Sequence, residues 1–314
     1  MTGACASAVA SSAVTLPYEQ AQEQLRRLAG ISIDDNRIHR TVAAVSGRAV
    51  DMLNQDPASV LRSVGAPPSG TWIYVLIDGG RIRFREDASW REPCVGLIMW
   101  ERSDGKWEKI GFSDPRDKAF VTRMLDRWLE LFRKRGRRKV AIIADGAEWI
   151  WRWAANHPWT VQILDYYHLK EHVWEAAKAL HGEDTAQASQ WVDEIMSRLW
   201  RGWVPSTVEL LDLETARADQ PVEHREALAA LATYLENHDG LIAYARRRRA
   251  GCAIGSGAIE SCCKQLFSMR MKGSGMFWGE DGARNLMDLR TVYITGQWDR
   301  LWHTHESVPL SQAA

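Results

Sequence analysis

Two apolar runs of the chain each end in an aspartate that is followed directly by glycine. Residues 72–77 lead into Asp78, and residues 140–144 lead into Asp145. Short apolar runs bounded by glycine predict buried strands, and a buried strand that ends in a carboxylate carries that charge to the edge of a sheet. The two runs therefore predict an α/β fold in which two strand ends bear acids.

A third carboxylate, Glu260, opens a predicted helix just after the string Gly-Ser-Gly at residues 255–257. Carboxylate oxygens are the ligands that hard divalent cations prefer, and such cations activate phosphodiester chemistry. Asp78, Asp145 and Glu260 together predict a site for Mg²⁺ or Mn²⁺ that acts on nucleic acid. Taken singly, each acid also fits a solvated strand end, and Glu260 also fits the first turn of a helix, where the helix dipole favours an acid.

The order of predicted elements points to a ribonuclease H-like core. We predict strands at residues 72–78, 80–86, 94–101, 139–144 and 160–165, and helices at residues 116–135 and 147–156. Residues 168 to about 249 show helical patterns throughout, and a last long helix is predicted to start near residue 257. The fold class is therefore α/β, a ribonuclease H-like catalytic core with an α-helical insertion and an N-terminal helical segment.

The domain organisation follows from these patterns. We expect a disordered start at residues 1–15, a helical segment at 16–66, the core at 71–168, the insertion at 169–250, a final core segment with the third acid at 251–300, and a tail at 301–314. Within the segment 16–66 we predict one helix from Tyr18 to Ala29, which Gly30 stops, and a second from Asn36 to about Asn54, capped by Asp34 or Asp35. The pair fits a helix-turn-helix or a helical hairpin packed on the next domain. Four tryptophans of the insertion are expected to pack inside it or against the sheet: Trp174, Trp191, Trp200 and Trp203.

Composition narrows the class of protein further. The formal net charge is zero, so the partner must be inferred from where charges lie. The five cysteines form no Cys-x-x-Cys pair, which fits a reducing compartment and argues against a cysteine-rich zinc module. No apolar run reaches the roughly 18–20 residues of a membrane span, and the start lacks the basic region of a signal peptide. We therefore expect a cytoplasmic, nucleoid-associated protein.

A second constellation, Asp165-Tyr166-Tyr167-His168, lies where a strand is predicted to turn into a helix. The i,i+3 spacing brings Asp165 and His168 to one face. His168 there is suited to hold a scissile phosphate, to orient an acid or to stabilise the loop, and a buried structural hydrogen bond fits equally well.

A competing pattern overlaps it. Residues 168–172 read His-Leu-Lys-Glu-His, the pattern of inverted zinc peptidases, with His168 and His172 on one side of a helix. No third zinc ligand is evident, and the pattern leaves the two aspartates unexplained. In the simpler interpretation His172 is a helix-surface residue.

Basic and aromatic residues flank the third acid and predict a DNA interface. Phosphate contacts require arginine or lysine, and aromatic rings stack on bases. The residues predicted to contact DNA are Arg246, Arg247, Arg248, Arg249, Arg270, Lys272 and Trp278.

Several strings resemble a known family. They are Ile-Asp-Gly-Gly at 77–80, Ala-Asp-Gly-Ala-Glu-Trp-Ile at 144–150, Leu-Asp-Tyr-Tyr-His at 164–168, Gly-Ser-Gly-Ala-Ile-Glu-Ser at 255–261 and Arg-Met-Lys-Gly-Ser-Gly-Met-Phe-Trp at 270–278. The chain resembles bacterial insertion-sequence DDE transposases of the ISKra group, relatives of the Mutator-like superfamily, over about residues 16–300.

The resemblance implies a catalytic triad of Asp78, Asp145 and Glu260 with Mg²⁺ or Mn²⁺, and a further motif at Asp165 and His168. It implies DNA cleavage and strand transfer by a homo-oligomer on transposon ends and target, with no membrane partner. Members usually carry more sequence before the helical segment, so a truncated copy is also expected. The alternatives are a ribonuclease H-like nuclease or resolvase, and a DNA-binding remnant that does not transpose.

Overall fold

The computed structural model describes residues 1–86, 88–217 and 219–303. The fold is mixed α/β, mostly helical, with a mixed sheet of five strands. The chain divides into two compact units, which we call unit 1 (Met1–Lys139 with Gly257–Ala314) and unit 2 (Val140–Ser256). Residues 140–168, predicted to belong to the core, thus cluster with the helical insertion.

The described residues of unit 1 form four N-terminal helices, five strands, and five further helical segments if the single π-helical turn is included. They are α1 (Gly3–Thr15), α2 (Tyr18–Ala29), α3 (Asp35–Leu53), α4 (Pro57–Val64), β1 (Ile73–Gly79), β2 (Ile82–Arg83), β3 (Trp90–Arg91), β4 (Cys94–Glu101), β5 (Trp107–Asp114), α5 (Lys118–Lys134), α12 (Gly257–Cys263), the π-helical turn (Lys264–Ser268), α13 (Glu280–Ile294) and α14 (Trp298–His303).

The core of unit 1 is an antiparallel sheet in the order β5–β4–β1. Ile77 pairs with Gly96 and Asp78 with Val95, so β1 brings its acid level with the start of β4. The strands are buried along nearly their whole length because α5 packs on β4 and β5, while α12 packs on β1 and β4 and α13 on β5. Asp78 therefore lies near the end of a strand that is held by its pairing with β4 and by the packing of α12.

The prediction of a strand over residues 80–86 is wrong. Only Ile82 and Arg83 pair with β3, in a separate two-stranded sheet, and Phe84 forms an isolated bridge with Trp278. The third main strand is β5, which the sequence did not predict. Several of its buried side chains are polar, and their partners are distant in sequence: Glu108 accepts a hydrogen bond from Gln297 (2.7 Å), and the Ser113 hydroxyl shares one with that of Thr291 (2.8 Å).

The N-terminal start is also ordered, in contrast to the predicted disorder. Helix α1 buries Ala6, Val9, Ala10, Ala13 and Val14 completely. It packs against α2, α3 and α13, and α3 itself packs on α13. Small alanine and valine side chains at helical spacing let α1 lie close to its neighbours. The prediction of a disordered start did not take this spacing into account. The segment 16–66 is thus a set of helices packed on the rest of unit 1.

The boundaries predicted for α2 and α3 agree with the structure within one or two residues. Helix α2 ends at Gly30, as expected, and the side chain of Asp34 caps α3 by accepting a hydrogen bond from the backbone N–H of Arg37 (2.8 Å). The last long helix, predicted to start near residue 257, is instead divided into the short helix α12, the π-helical turn and, after a loop, α13.

In unit 2 the residues that the structure describes form two strands and six α-helices. They are β6 (Val140–Ala144), α6 (Glu148–Ala154), β7 (Val161–Leu164), α7 (Tyr166–His181), α8 (Ala186–Trp200), α9 (Val204–Thr215), α10 (Val222–His238), a 3-10 turn (Asp239–Leu241) and α11 (Tyr244–Arg249). Strands β6 and β7 pair in parallel with Ala141 opposite Val161.

The helical character predicted for the insertion is confirmed for the part of residues 169–250 that the structure describes. Helix α7 packs on α8 and α10, and α9 packs on α8 and α10. The expected packing of its tryptophans is wrong at two positions, because Trp200 and Trp203 are 36% and 49% exposed. Trp203 lies instead at the start of α9, beneath the guanidinium of Arg201. Within the described residues, no helix has the length and apolarity that crossing a membrane demands.

Candidate functional site

Asp78 lies at the last but one position of β1 and is partly exposed. The backbone N–H of Gly79 donates to its Oδ1 (2.6 Å). Two buried thiols are its neighbours. Burial first, and then the charge and hydrogen bond of Asp78, raise the pKa of the Cys263 thiol far above its usual range, and burial raises the pKa of Cys94 to about 12. Both thiols are therefore protonated and neutral at physiological pH.

Helix α12 carries Glu260 over the end of β1. Its buried face consists of Ile259, Cys262 and Cys263, and the helix packs on β1 and β4. Glu260 is exposed and lies three residues before Cys263, the residue that hydrogen-bonds Asp78. Since residues three apart are neighbours on a helix surface, Glu260 lies beside Cys263, next to the buried face of α12.

A π-helical turn follows α12 directly and fixes its position. Phe267, in this turn, is buried against Gly80, the second glycine after Asp78. A Cβ atom on Gly80 would stand 2.6 Å from Cε2 and 2.8 Å from Cγ of Phe267, closer than real Cβ contacts come. Glycine is therefore required at residue 80 for the ring to seat. Single π turns inside helices occur frequently at functional sites.

Asp145 follows β6 in unit 2 and is partly exposed. Its Oδ1 accepts a hydrogen bond from the backbone N–H of Ala147 (3.0 Å), and its backbone carbonyl accepts one from the indole of Trp151 (2.8 Å). These two bonds hold the turn between β6 and α6. The residue after it, Gly146, lies against the ring of Tyr234 from α10.

Asp165 is fully buried and has a structural role in unit 2. Its Oδ1 accepts hydrogen bonds from the backbone N–H groups of Tyr167 (2.6 Å) and His168 (2.8 Å), which caps α7. Its Oδ2 accepts one from the backbone N–H of Ser256, and the N–H of Tyr166 donates to the carbonyl of Ile254 (3.0 Å). The carboxylate therefore ties the β7–α7 junction to the segment that leads towards Glu260.

His168 is 38% exposed at its side chain and lies on α7 with His172. Their ring centroids are 4.9 Å apart, edge to face, and each Nδ1 faces the glutamate three residues on, at 3.5 Å from Glu171 and 3.3 Å from Glu175. The second ring also stacks on Tyr234, at 4.1 Å. Burial and the neighbouring His168 lower the pKa of His172, so this imidazole is favoured in its neutral form.

The three predicted acids have the accessibility that metal ligands need. Asp78 and Asp145 are partly exposed and Glu260 is exposed, so ions in solution reach all three carboxylates. Over residues 1–86, 88–217 and 219–303, no three His, Cys, Asp or Glu side chains are already grouped as ligands. Oxygen donors and protonated thiols fit a hard cation such as Mg²⁺ better than a soft one.

The predicted DNA contacts divide into exposed and buried residues. Arg246, Arg248 and Arg249 are exposed on α11, and Lys272 is exposed in the loop after the π-helical turn. Arg247 is half-buried, its Nε has no hydrogen-bond partner among the described residues, and burial lowers its pKa. The four exposed cations are therefore available to phosphates, whereas the half-buried Arg247 is a poorer candidate for a contact with DNA.

Arg270 and Trp278 are corrections to the predicted interface. Arg270 is 2% exposed, its Nε donates to the carbonyl of Ala13 (3.1 Å), and its guanidinium lies between the rings of Tyr18 and Trp278. Trp278 is 8% exposed and its indole donates to the carbonyl of Met271 (3.0 Å). Both residues hold α1 and the loop after the π-helical turn in place, so neither side chain is available to DNA.

The sequence analysis did not single out two residues that lie close to the predicted acids, Cys263 and Tyr234. Cys263 follows Glu260 by three residues, and that spacing was the available signal for its contact with Asp78. Tyr234 stands in the middle of the helical insertion without a motif around it, and its proximity to Gly146 arises only from the folding of α10 beside the β6–α6 turn.

Comparisons with known proteins place the chain in a family. Residues 115–306 match the family described as an uncharacterised protein family, UPF0236, and this match includes Asp145 and Glu260 but begins after Asp78. A search of curated proteins finds no match. Since the match spans more than half of the chain, the protein belongs to the uncharacterised family UPF0236.

Proposed function

We propose that this protein is a DDE transposase with a ribonuclease H-like core, which catalyses metal-dependent cleavage and strand transfer of DNA. The observation that carries the proposal is in unit 1, where α12 packs on β1 and Glu260 lies three residues before Cys263, the residue that hydrogen-bonds Asp78. Asp145, in its own unit, also ends a strand next to a glycine.

In this proposal Asp78, Asp145 and Glu260 hold Mg²⁺ or Mn²⁺. The ions, when bound, make an attacking water or 3′-hydroxyl more acidic and stabilise the leaving oxygen. The Cys263 thiol donates a hydrogen bond to Asp78. His168, partly exposed at the first turn of α7, is placed to contact a phosphate oxygen. Asp165 keeps this turn and the segment before Glu260 together.

The exposed cations supply the proposed contact with DNA. Arg246, Arg248 and Arg249 lie on one short helix, and arginine forms paired hydrogen bonds with phosphate. Lys272 adds a fourth positive charge from the loop after the π-helical turn. Binding through phosphates is expected to weaken steeply as salt rises, with a slope of roughly 0.9 per phosphate contact on a logarithmic scale.

The test is a cleavage and joining assay on DNA that carries the terminal inverted repeats flanking the gene, with Mg²⁺ and with EDTA. Asp78→Asn, Asp145→Asn and Glu260→Gln keep the shape of each side chain and remove its charge, so each is expected to abolish Mg²⁺-dependent cleavage. Asp51→Asn, an exposed carboxylate on α3, is the matched control and should cleave normally. Salt-sensitive DNA binding and the melting temperature should survive in all four variants.

The assay also separates the alternatives. Cleavage without joining, lost in the same variants, would indicate a ribonuclease H-like nuclease or resolvase. DNA binding without any cleavage by the unaltered protein would indicate a remnant that no longer transposes. Full cleavage by Asp145→Asn would contradict the mechanism proposed here.

A further inference from the structure

Tyr234 lies against the turn that carries Asp145. Its ring comes from α10, and a Cβ atom on Gly146 would stand 2.7 Å from both Cε2 and Oη of Tyr234. The phenol thus occupies the space that any side chain at residue 146 would need. Both residues belong to unit 2, where α10 and the β6–α6 turn meet.

The hydroxyl of Tyr234 is buried and has no hydrogen-bond partner among the residues that the structure describes. Burying a hydroxyl without a partner is unfavourable, so phenylalanine would be the more stable choice if the ring served packing alone. A phenol is protonated at neutral pH, so the hydroxyl is a hydrogen-bond donor. The carboxylates of Asp145 and Asp165 both lie near enough to act on it electrostatically.

The ring is held in a fixed orientation by its neighbours. His172 stacks on one side with ring centroids 4.1 Å apart, and His238 lies 4.5 Å away. The ring of His238 is in turn fixed by a hydrogen bond between its Nδ1 and the backbone carbonyl of Tyr234 (2.7 Å). A hydroxyl that has no hydrogen-bond partner among the described residues and sits on a rigid ring is suited to orient a neighbouring carboxylate that has to move only a short distance.

We propose that Tyr234 is a positioning residue, whose hydroxyl donates a hydrogen bond to the carboxylate of Asp145 when that carboxylate turns to bind a divalent cation. The inference rests on the function proposed above. A carboxylate has about four lone-pair positions, so Asp145 can keep its bond from Ala147, accept one from the phenol and still bind a metal ion. The phenol sets the direction of the carboxylate and does not itself touch the reacting atoms.

The test compares Tyr234→Phe with the unaltered protein by titration with Mn²⁺, following free Mn²⁺ by electron paramagnetic resonance in the absence of DNA. We expect the affinity for Mn²⁺ to fall about tenfold, as is usual when the partner of a metal ligand is removed. Cleavage should fall at limiting Mn²⁺ and recover at saturating Mn²⁺. The melting temperature without metal should stay the same or rise, because the variant removes an unsatisfied buried donor.

Tyr18→Phe is the matched control. The hydroxyl of Tyr18 is also buried without a partner among the described residues, but it lies in α2 beside Arg270. Removing it should leave Mn²⁺ affinity and cleavage unchanged. A structural role for Tyr234 alone would show itself as a lower melting temperature with unchanged Mn²⁺ affinity, and that result would overturn the inference.

Asp145→Asn distinguishes the two proposals. If it loses Mn²⁺ affinity and cleavage while Tyr234→Phe keeps both, the positioning role is wrong and the proposed function stands. If Asp145→Asn itself keeps both, Asp145 is not a ligand and both proposals fail.

Discussion

Asp288 is a carboxylic acid buried where α13 packs on α3. Its carboxyl group accepts a hydrogen bond from the hydroxyl of Ser46 (3.3 Å), and Arg284 and Asp114 act on it with opposite signs. Burial is the largest influence and raises the pKa of Asp288 to about 7 from 3.8. Between these two pKa values the folded protein keeps the Asp288 proton, whereas the unfolded protein releases it.

The sign of the resulting pH dependence follows from linkage. Between pH 4 and pH 7 the folded state binds the Asp288 proton and the unfolded state does not, so this group's contribution to stability falls as pH rises and levels off above pH 7. Asp288→Asn cannot ionise, and its free energy of unfolding relative to the unaltered protein should increase from pH 5 to pH 8, by an amount on the order of 2–4 kcal/mol. Urea denaturation at both pH values measures it.

Asp281→Asn on the same helix is the control for this experiment, because its side chain is exposed. Its stability difference from the unaltered protein should change much less between pH 5 and pH 8. Equal pH dependence in the two variants would contradict a buried, protonated Asp288.

Residue types in the sequence did not indicate which side chains are exposed. Asp165 and Arg270 were both selected because acids and arginines near a candidate site are commonly functional. In the structure Asp165 caps α7 and Arg270 holds the carbonyl of Ala13, so both have structural roles. The partner of Arg270 lies 257 residues away in the chain, and no local pattern encodes it. Strand ends and helix caps, which depend on neighbours in sequence, were predicted well at Asp34 and Asp78.

At the scale of secondary-structure elements, the two errors in the predicted strands have a common cause. Strand β5 was missed because it buries Glu108, Ser113 and Asp114, whose partners Gln297, Thr291 and Arg284 come from or near α13. The predicted strand at residues 80–86 had the better alternation but lacked a long partner strand. Pairing partners and the satisfaction of buried polar groups, rather than alternation, decided which segment entered the sheet.

Gly80 and Phe267 connect β1 to the π-helical turn, and they should be energetically coupled. Gly80→Ala forces a Cβ atom into the ring of Phe267 and is expected to lower the free energy of unfolding by about 1–3 kcal/mol. Phe267→Leu makes room for that atom. The double variant should therefore lose at least ~1 kcal/mol less than the sum of the single losses. Chemical denaturation of the four proteins completes the cycle.

Gly47→Ala provides the control for this cycle. A Cβ atom at residue 47 meets nothing within 4 Å, and the residue lies exposed inside α3. Alanine should stabilise the protein there by about 0.5–1 kcal/mol, because glycine is unfavourable within a helix. Additive losses for Gly80→Ala and Phe267→Leu would show that the two residues are not in contact.

At the scale of the whole molecule, the first helix belongs to the folded core of unit 1. Arg270 and Arg290 both donate to the C-terminal end of α1, at the carbonyls of Ala13 and Val14. These two arginines come from the far end of the sequence, next to the segment with Glu260. The N-terminal helix and the predicted third acid are therefore parts of one compact unit.

Two substitutions that place the same charge on opposite sides of α1 test this arrangement. Val9 is fully buried, so Val9→Asp should lower the free energy of unfolding by more than about 3 kcal/mol. Ala4 is exposed, so Ala4→Asp should change it by less than about 0.5 kcal/mol. Thermal melts of both variants suffice. A disordered start would tolerate both changes equally.

The π-helical turn Lys264–Ser268 has a consequence for how this region can vary. A π turn fits about one more residue into a turn than an α turn does, so it takes up an extra residue and leaves α12 in phase with the chain that follows. Deleting one residue of this turn would therefore restore α register and leave α12 close to its present rotation. Deleting a residue between Glu260 and Cys263 would instead turn the acid by about 100° relative to the thiol that hydrogen-bonds Asp78. Related chains can thus lose a residue at the π turn, but they must keep the spacing between Glu260 and Cys263.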